Sequence, residues 1–317
     1  MKSFNLIVLG EVALDVILCG VDQVPKRWSV LGKTKTADIF AAGSAGYVAQ
    51  CFAKLGGRAS IVGKLGNDNA GRFILNGFKQ MGVSTQHVLT ERGAKTEIST
   101  VVLYNNGNKA SVVSEILPLR LREFDTGCLI GGDAFHVGGY LLYPSLWRRR
   151  IMPWIRSVEH EGGLVSADPQ MSATGKWAQP FRGILEHLDL LLLDEEEAKR
   201  VSRKRRLDDA VEQLQKDGAD VVAVKRGRKG CVIGSSGRIE TIAPFKTKPI
   251  STIGAGDAFD AAFIYGSLQG WNIRKRGLFA NAVAAISTIR LGCVTAIPNA
   301  KSVEKIIRSR YRQPQIS

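Results

Sequence analysis

The chain has 317 residues, of which 44% are hydrophobic and 23% are charged, and its formal net charge is +15. These values are typical of a soluble globular protein with a substantial core, and they exclude a chain that is disordered over most of its length. Neither the five scattered cysteines nor the four scattered histidines have the spacing of a disulfide framework or a zinc site.

The first apolar run, at residues 5–17, is too short for a secretory or membrane signal and is interrupted by Glu11 and Asp15. No other stretch is long and apolar enough to span a bilayer, so we expect a cytoplasmic protein without a membrane partner. The positive charge favours anionic partners, which include phosphorylated small molecules and nucleic acid. No helix-turn-helix, zinc-finger or aromatic RNA-reading pattern accompanies the basic residues, so nucleic-acid binding is the weakest hypothesis.

Short, continuous apolar runs alternate with amphipathic stretches along the chain. The runs predict strands, and the amphipathic stretches predict helices; the strands lie at residues 5–10, 60–66, 134–140, 164–169, 189–194 and 221–227, and the helices at 45–57, 69–82, 146–162 and 207–218. Strands that are apolar on both faces and alternate with helices indicate an α/β fold with a mostly parallel central sheet flanked by helices. We expect a single domain over residues 1–317.

Two segments, residues 12–40 and 95–116, depart from this alternation and read as extended strands and turns. The run from Asn105 to Asn108 contains Asn-Gly, which is a strong hairpin signal. We therefore predict a small β-sheet that projects from the main domain and acts as a lid. An exposed lid of this kind could pair with its own copy to form a homodimer.

The stretch STIGAGD, residues 251–257, joins a strand-like run to a long apolar helical pattern. Gly254 and Gly256 would expose backbone N–H groups at the positive end of the helix, where an oxyanion can bind. The Asp257 carboxylate would lie beside this anion hole and could take a proton from a hydroxyl group. A simple helix start explains the same residues, since glycines make turns and an aspartate suits the first helical turn. The motif is not a Walker A loop, because no Gly-Lys-Ser/Thr follows.

Six segments resemble, in order along the chain, the sequence signatures of the ribokinase-like (PfkB) carbohydrate kinase family: residues 10–17, 41–74, 190–198, 222–233, 252–271 and 279–298. Each fragment alone is a weak signal, but together they extend from residue 10 to residue 298 and are specific. The resemblance implies the fold of that family and the transfer of the γ-phosphoryl group of ATP, with Mg²⁺, to a hydroxyl group of a sugar or nucleoside.

The resemblance also implies roles for individual residues. Asp257 matches the general base, and Gly254, Ala255 and Gly256 match the anion hole. On the nucleotide side, Glu197 matches a glutamate that organises the Mg²⁺ water network, and the positions that match nucleotide-binding residues are Asp194, Lys225, Gly227 and Asn281. Without the resemblance, Glu197 reads as a carboxylate at a helix start, and Asn281 reads as a helix N-cap or an exposed helical residue.

On the acceptor side, Asp15 matches an aspartate that accepts hydrogen bonds from sugar hydroxyls, although a loop aspartate that stabilises a turn would look the same. Gly43 and Ser44 match the glycine-rich turn beneath the sugar. Asp168 and Gln170 follow a predicted strand, at the sheet edge where α/β proteins place their ligands.

Three positions depart from the family pattern. Ser251 replaces an aspartate of a monovalent-cation site, which puts potassium activation in question. Tyr47 replaces an asparagine of the sugar-binding turn, so it could stack on a flatter acceptor or belong to the core. Asp194 replaces the asparagine of Asn-x-x-Glu and adds negative charge near the phosphates. Two hypotheses follow: an active small-molecule kinase, which the retained Asp257 favours, and a weakly active member that binds a sugar or nucleoside.

Overall fold

Two β-sheets organise the protein in its computed structural model, which describes residues 4–27 and 30–312. The strands are β1 (Asn5–Gly10), β2 (Ala13–Val21), β3 (Thr36–Ala42), β4 (Arg58–Gly66), β5 (Val83–Glu91), β6 (Ile98–Tyr104), β7 (Lys109–Val113), β8 (Ala134–Gly138), β9 (Leu164–Ala167), β10 (Leu190–Asp194), β11 (Val221–Lys225), β12 (Cys231–Ser235) and β13 (Arg238–Ile242). The large sheet has nine strands in the order β13-β12-β11-β10-β9-β8-β1-β4-β5, and the small sheet has four in the order β3-β2-β6-β7.

The large sheet is parallel from β5 to β11, and only β12 and β13 at one edge run antiparallel. Its central strands are buried on both faces, as their continuous apolar sequences require. The prediction of a mostly parallel central sheet is confirmed. The apolar-run criterion missed β5, because only its first residue is buried and the others are half-buried or exposed.

Helices cover both faces of the large sheet. They are α1 (Ser44–Lys54), α2 (Asn69–Gln80), α3 (Met152–His160), α4 (Glu195–Ser202), α5 (Leu207–Lys216), α6 (Ala255–Leu268), α7 (Ile273–Ser287) and α8 (Ala300–Arg312). One hydrophobic core contains Phe52 of α1 together with Phe263 and Phe279 of α6 and α7. The other contains Trp154 of α3.

The helix predicted over residues 146–162 is wrong in its first third. Residues 144–146 and 148–150 form separate 3₁₀ turns, and α3 begins only at Met152. Arg148 has a φ of 59°, which an α-helix does not allow. Pro153 occupies the first turn of α3, where its missing N–H costs no hydrogen bond, so the proline marks the start of the helix.

The small sheet is attached to the large one through the short link from the carboxyl end of β1 to β2. Its strands lie within residues 12–40 and 95–116, except that β3 continues to Ala42, and residues 28 and 29 of the first segment lie outside the described residues. The hairpin prediction is confirmed: β6 and β7 pair antiparallel, and the Gly107 N–H donates to the Tyr104 carbonyl at 3.0 Å. Whether the sheet closes over a substrate stays a prediction. Among the described residues, no helix has both the length and the apolar character needed to cross a membrane.

Candidate active site

The N-terminus of α6 presents unpaired backbone donors. Gly254 precedes the helix with a φ of 73°, and the Ala255 N–H donates to the Thr252 carbonyl at 3.3 Å. Within residues 4–27 and 30–312, the N–H groups of Gly256 and Asp257 find no acceptor. A side chain on Gly254 would approach the Cys293 Cβ to 2.6 Å, so packing and the left-handed backbone both require glycine there. The turn can therefore offer two N–H groups to an oxyanion.

Asp257 lies in the first turn of α6, half-buried, beside these N–H groups. The Ser44 hydroxyl, from the first residue of α1, donates to Asp257 Oδ1 at 3.0 Å. Burial raises the pKa of Asp257 well above its usual value, and the negative charges of Asp168 and Asp260 add to this effect. A carboxylate whose pKa is raised is a stronger proton acceptor once it is ionised.

A buried ion-pair network connects the ends of β9 and β11 with α6, behind the anion hole. Lys225, at the end of β11, donates from Nζ to Asp168 Oδ2 at 2.7 Å and to Asp260 Oδ2 at 2.9 Å. Asp168 follows β9, and Asp260 lies one turn after Asp257 on α6. The Nζ atom is 3.6 Å from the position that a Cβ on Gly256 would take, so a cation lies next to the free N–H groups.

Asp260 is a site residue that the sequence analysis missed. It is fully buried, and its second oxygen meets no N–H or O–H donor in the described part of the chain. The sequence signal for it is the position of Asp260 within the apolar pattern of α6, after the first turn, because a buried carboxylate needs a partner.

Asp194 and Glu197 form a capping box at the start of α4. The Glu197 N–H donates to Asp194 Oδ1 at 2.7 Å, and the Asp194 N–H donates to Glu197 Oε2 at 2.6 Å. The helix-start explanation of Glu197 therefore holds in the structure. Burial and the negative charge of Asp168 raise the pKa of Glu197 to about 9. Glu197 thus caps α4, and its pKa is affected by the carboxylate of Asp168 next to Lys225. Its role toward a metal ion stays a prediction.

The acceptor-side residues converge where the small sheet meets α1. Asp15, on β2, accepts a hydrogen bond from the Tyr47 hydroxyl at 2.6 Å, and both side chains are buried. Burial and the charge of Glu11 raise the pKa of Asp15 to about 6, against the lowering effect of the Tyr47 hydroxyl. Tyr47 is therefore a core residue with a specific polar partner. Its ring is not free to lie flat against a ligand without breaking this bond.

Glu11 anchors the turn that contains Gly43. Its Oε2 accepts from the Ser44 N–H at 2.9 Å and from Gln170 Nε2 at 3.1 Å. Gly43 has a φ of 89°, and a Cβ there would lie 2.4 Å from the Glu11 carbonyl oxygen, so this turn also needs glycine. Gly43, Ser44 and Gln170 are predicted site residues, whereas Glu11 stands out in the sequence only as an interruption of an apolar run.

The remaining predicted nucleotide residues lie further along the same sheet edge. Gly227 opens an exposed 3₁₀ turn directly after β11. Asn281 is buried inside α7, and its side-chain amide donates to the Ala243 carbonyl at 2.9 Å. It is therefore neither an N-cap nor an exposed helical residue. Ser251 is buried, and its hydroxyl accepts from the Ile253 N–H at 3.3 Å, so no carboxylate occupies this position.

Known proteins of similar sequence and fold match this chain over most of its length. The model of the pfkB family carbohydrate kinases matches residues 3–300. The chain is 28% identical to fructokinase-2 of Zea mays, with 84% of each chain covered. It is 24% identical to the 5-dehydro-2-deoxygluconokinase of Clostridium perfringens, with 98% of this chain and 95% of that protein covered. The fructokinase of Xylella fastidiosa, solved with bound ATP, has a TM-score of 0.82 at 21% identity and covers 97% of this chain and 99% of that one.

Proposed function

Because the chain belongs to the pfkB family of carbohydrate kinases, we propose that this site transfers the γ-phosphoryl group of ATP to a hydroxyl group of a sugar. One observation carries the proposal: two unpaired N–H groups lie beside the Asp257 carboxylate at the start of α6. An anion hole and a base in the same helical turn are what a phosphoryl transfer to an alcohol needs.

The proposed reaction uses these groups in a defined order. The acceptor hydroxyl gives its proton to Asp257, and its oxygen forms a bond to the γ-phosphorus of ATP. The bond from that phosphorus to the β,γ-bridging oxygen breaks, and ADP leaves with the electron pair. The N–H groups of Gly256 and Asp257 and the Lys225 ammonium bind the phosphoryl oxygens, over which negative charge is spread during the transfer.

The nucleotide and its metal ion fit the donor set of this site. The free N–H groups and the lysine suit ATP phosphates. Among the described residues, no group of three or more His, Cys, Asp or Glu side chains is arranged to hold a metal ion. We propose that Glu197 would hold Mg²⁺ together with the ATP phosphates, and that Asp194, Gly227 and Asn281 would contact the nucleotide. Bound Mg²⁺ supplies charge neutralisation for the phosphates.

A second hypothesis, in which the protein is weakly active and binds a sugar or nucleoside, is supported by one observation. The Tyr47 hydroxyl already occupies an oxygen of Asp15, the carboxylate proposed to hold the acceptor with Gly43, Ser44, Asp168 and Gln170. A nucleoside acceptor within the same kinase reaction is a further alternative. All three are compared by one screen of sugars, sugar acids and nucleosides with MgATP, with ADP release and thermal stabilisation measured for each compound.

Asp257→Asn tests the catalytic proposal. Because the amide cannot take the proton, kcat should fall by about 10²–10⁴ while ATP affinity changes little. Asp208→Asn, at an exposed position in the first turn of α5, is the matched control. Turnover that survives in Asp257→Asn at the level of Asp208→Asn contradicts the assignment of the base.

The small sheet is proposed to act as a lid and to carry the contact of a homodimer. Among the described residues, its outer strands β3 and β7 each pair with a strand on one side only, and Ile39, Val112 and Val113 are exposed on them. A Val112→Glu substitution should shift a dimer toward monomer in light scattering. A wild-type protein that is monomeric at all concentrations contradicts the dimer.

A further inference from the structure

Three carboxyl groups meet on the acceptor side of the site, where the small sheet joins the large one. Glu11 follows β1, Asp15 lies on β2, and Glu97 precedes β6; all three are buried, with exposed fractions of 9%, 6% and 3%. The Leu14 N–H donates to the Glu97 carbonyl at 2.9 Å, which fixes Glu97 beside β2. Burial, the charge of Glu11 and a hydrogen bond to the Glu11 carboxyl group raise the pKa of Glu97 to about 10.

The groups that face these carboxyls carry no positive charge. Asp15 is hydrogen-bonded to the hydroxyls of Tyr47 and Ser99. Glu11 accepts from the Ser44 N–H and the Gln170 amide. In the described part of the chain, no lysine, arginine or histidine pairs with any of the three, and Glu97 Oε1 meets no N–H or O–H donor. Even with Glu97 protonated, this cluster therefore holds net negative charge, and no lysine, arginine or histidine within residues 4–27 and 30–312 is paired with it.

The phosphate side of the same site differs because it contains a cation among its carboxylates. There, Lys225 lies between Asp168 and Asp260 and adjoins the free N–H groups of α6. An anion brought to this side meets free N–H groups and a cation as well as carboxylates, whereas an anion brought to the acceptor side meets the buried carboxyl groups of Glu11, Asp15 and Glu97 without a paired cation in the described part of the chain. At short range within a protein, each such repulsion is large enough to decide selectivity.

We propose that the acceptor side selects sugars without a negative charge, and that Glu11 is the specificity-determining residue that excludes sugar acids and sugar phosphates. This inference rests on the proposed kinase function and narrows its substrate class. It groups the acceptor of this chain with the neutral sugar for which the fructokinase relatives are named, and not with the sugar acid for which the 5-dehydro-2-deoxygluconokinases are named.

Paired ligands test the inference directly. The full-length protein is titrated, in the presence and absence of MgADP, with D-fructose against D-fructose 6-phosphate and with D-glucose against D-gluconate. The neutral member of each pair should bind about 10- to 100-fold more tightly. The same titrations are run with Glu11→Gln, which keeps an acceptor oxygen for Ser44 and Gln170, and with Glu212→Gln, an exposed residue of α5, as the control.

In Glu11→Gln, the preference for the neutral member should shrink about tenfold or more, while Glu212→Gln should keep the wild-type ratio. A wild-type protein that binds either anionic member as tightly as its neutral partner overturns the inference, and that measurement does not depend on any variant folding. An unchanged ratio in Glu11→Gln overturns the role of Glu11. Tight binding of the neutral sugar without ADP release when MgATP is added supports the selectivity and contradicts the kinase proposal instead.

Discussion

At the scale of single residues, each carboxyl group of the site has a hydrogen-bonding or charged partner that affects its protonation. The hydroxyl groups of Tyr47 and Ser44 donate hydrogen bonds to Asp15 and Asp257. The Lys225 ammonium forms ion pairs with Asp168 and Asp260. Buried carboxyl groups without such partners bind protons more tightly, so each pairing determines whether a carboxylate is available as a base or as an acceptor of hydrogen bonds.

Tyr47→Phe should move the pH dependence of acceptor binding. The Tyr47 hydroxyl lowers the pKa of Asp15, which is about 6, so its loss should raise that pKa further. Because only ionised Asp15 accepts hydrogen bonds from two hydroxyls, acceptor affinity in the variant should be lost at a higher pH than in the wild type as pH falls. The acceptor dissociation constant is measured from pH 5 to 8 in both proteins. Superimposable profiles contradict the coupling.

Lys225→Met should destabilise the fold as well as the site. Removal of the cation leaves Asp168 and Asp260 buried without a charged partner, at a cost of about 3–5 kcal/mol in the free energy of unfolding. The double variant Lys225→Met/Asp260→Asn removes one of those charges and should recover part of the loss. Urea unfolding gives the three free energies. If the double variant is less stable than the single one, Asp260 does not depend on Lys225.

At the scale of elements, the site depends on where secondary-structure elements end. The turn before α6, the turn between β3 and α1, and the ends of β9 and β11 all meet at the carboxyl edge of the parallel sheet. Backbone N–H groups at a helix start are unpaired, so these ends supply donors without side chains. The small sheet reaches the same edge through β3, where a Cβ on Gly292 would meet the ring of Phe40 at 2.3 Å.

Phe40→Ala should loosen the small sheet over the site. Phe40 is half-buried against the backbone of Gly292, whereas its neighbour Ile39 is 50% exposed. If the sheet excludes water, Phe40→Ala should raise ATP hydrolysis without acceptor by about two- to tenfold relative to sugar phosphorylation. Ile39→Ala, one residue away on the opposite face of β3, should leave the ratio unchanged. Equal ratios in both variants contradict the lid function.

At the scale of the whole molecule, the net charge of +15 coexists with a negatively charged interior at the site. Long-range attraction brings anions to the surface, and local charges then decide where each can bind. The same interior makes stability depend on pH. Burial and the charge of Glu11 raise the pKa of Glu97 to about 10, so the folded protein keeps a proton there that the unfolded chain releases near pH 4.5.

Glu97→Gln should flatten this dependence. Above the unfolded pKa, the wild-type chain gives up the Glu97 proton on unfolding, so its stability should fall as pH rises toward 10 by up to about 1 kcal/mol per pH unit. The glutamine variant has no proton to lose at this position, and its slope should be smaller. Urea unfolding at pH 6, 7, 8 and 9 measures both slopes. Parallel slopes contradict the protonated state of Glu97.

The sequence by itself determined the α/β class, the parallel sheet, the hairpin at residues 105–108 and the turn that carries Asp257. These features depend on local patterns: continuous apolar runs, an Asn-Gly turn, and glycines before an apolar helix. They are readable because hydrophobic periodicity and positive-φ turns are imposed by neighbours within the same segment. The predicted start of α3 is too early because the amphipathic spacing of the sequence continues through the 3₁₀ turns that precede the helix. The positive φ of Arg148 prevents an α-helix there, and the helix begins only next to Pro153.

Only the tertiary structure decided which charges meet. Lys225 and Asp260 are far apart in sequence, and so are Glu11 and Glu97, yet each pair lies in contact at the sheet edge. Sequence spacing carries no information on such contacts, because they depend on the order of strands in the sheet and not on their order along the chain. The partner of Tyr47 was hidden for the same reason: a hydroxyl group has a structural role only once the fold brings a carboxylate to it.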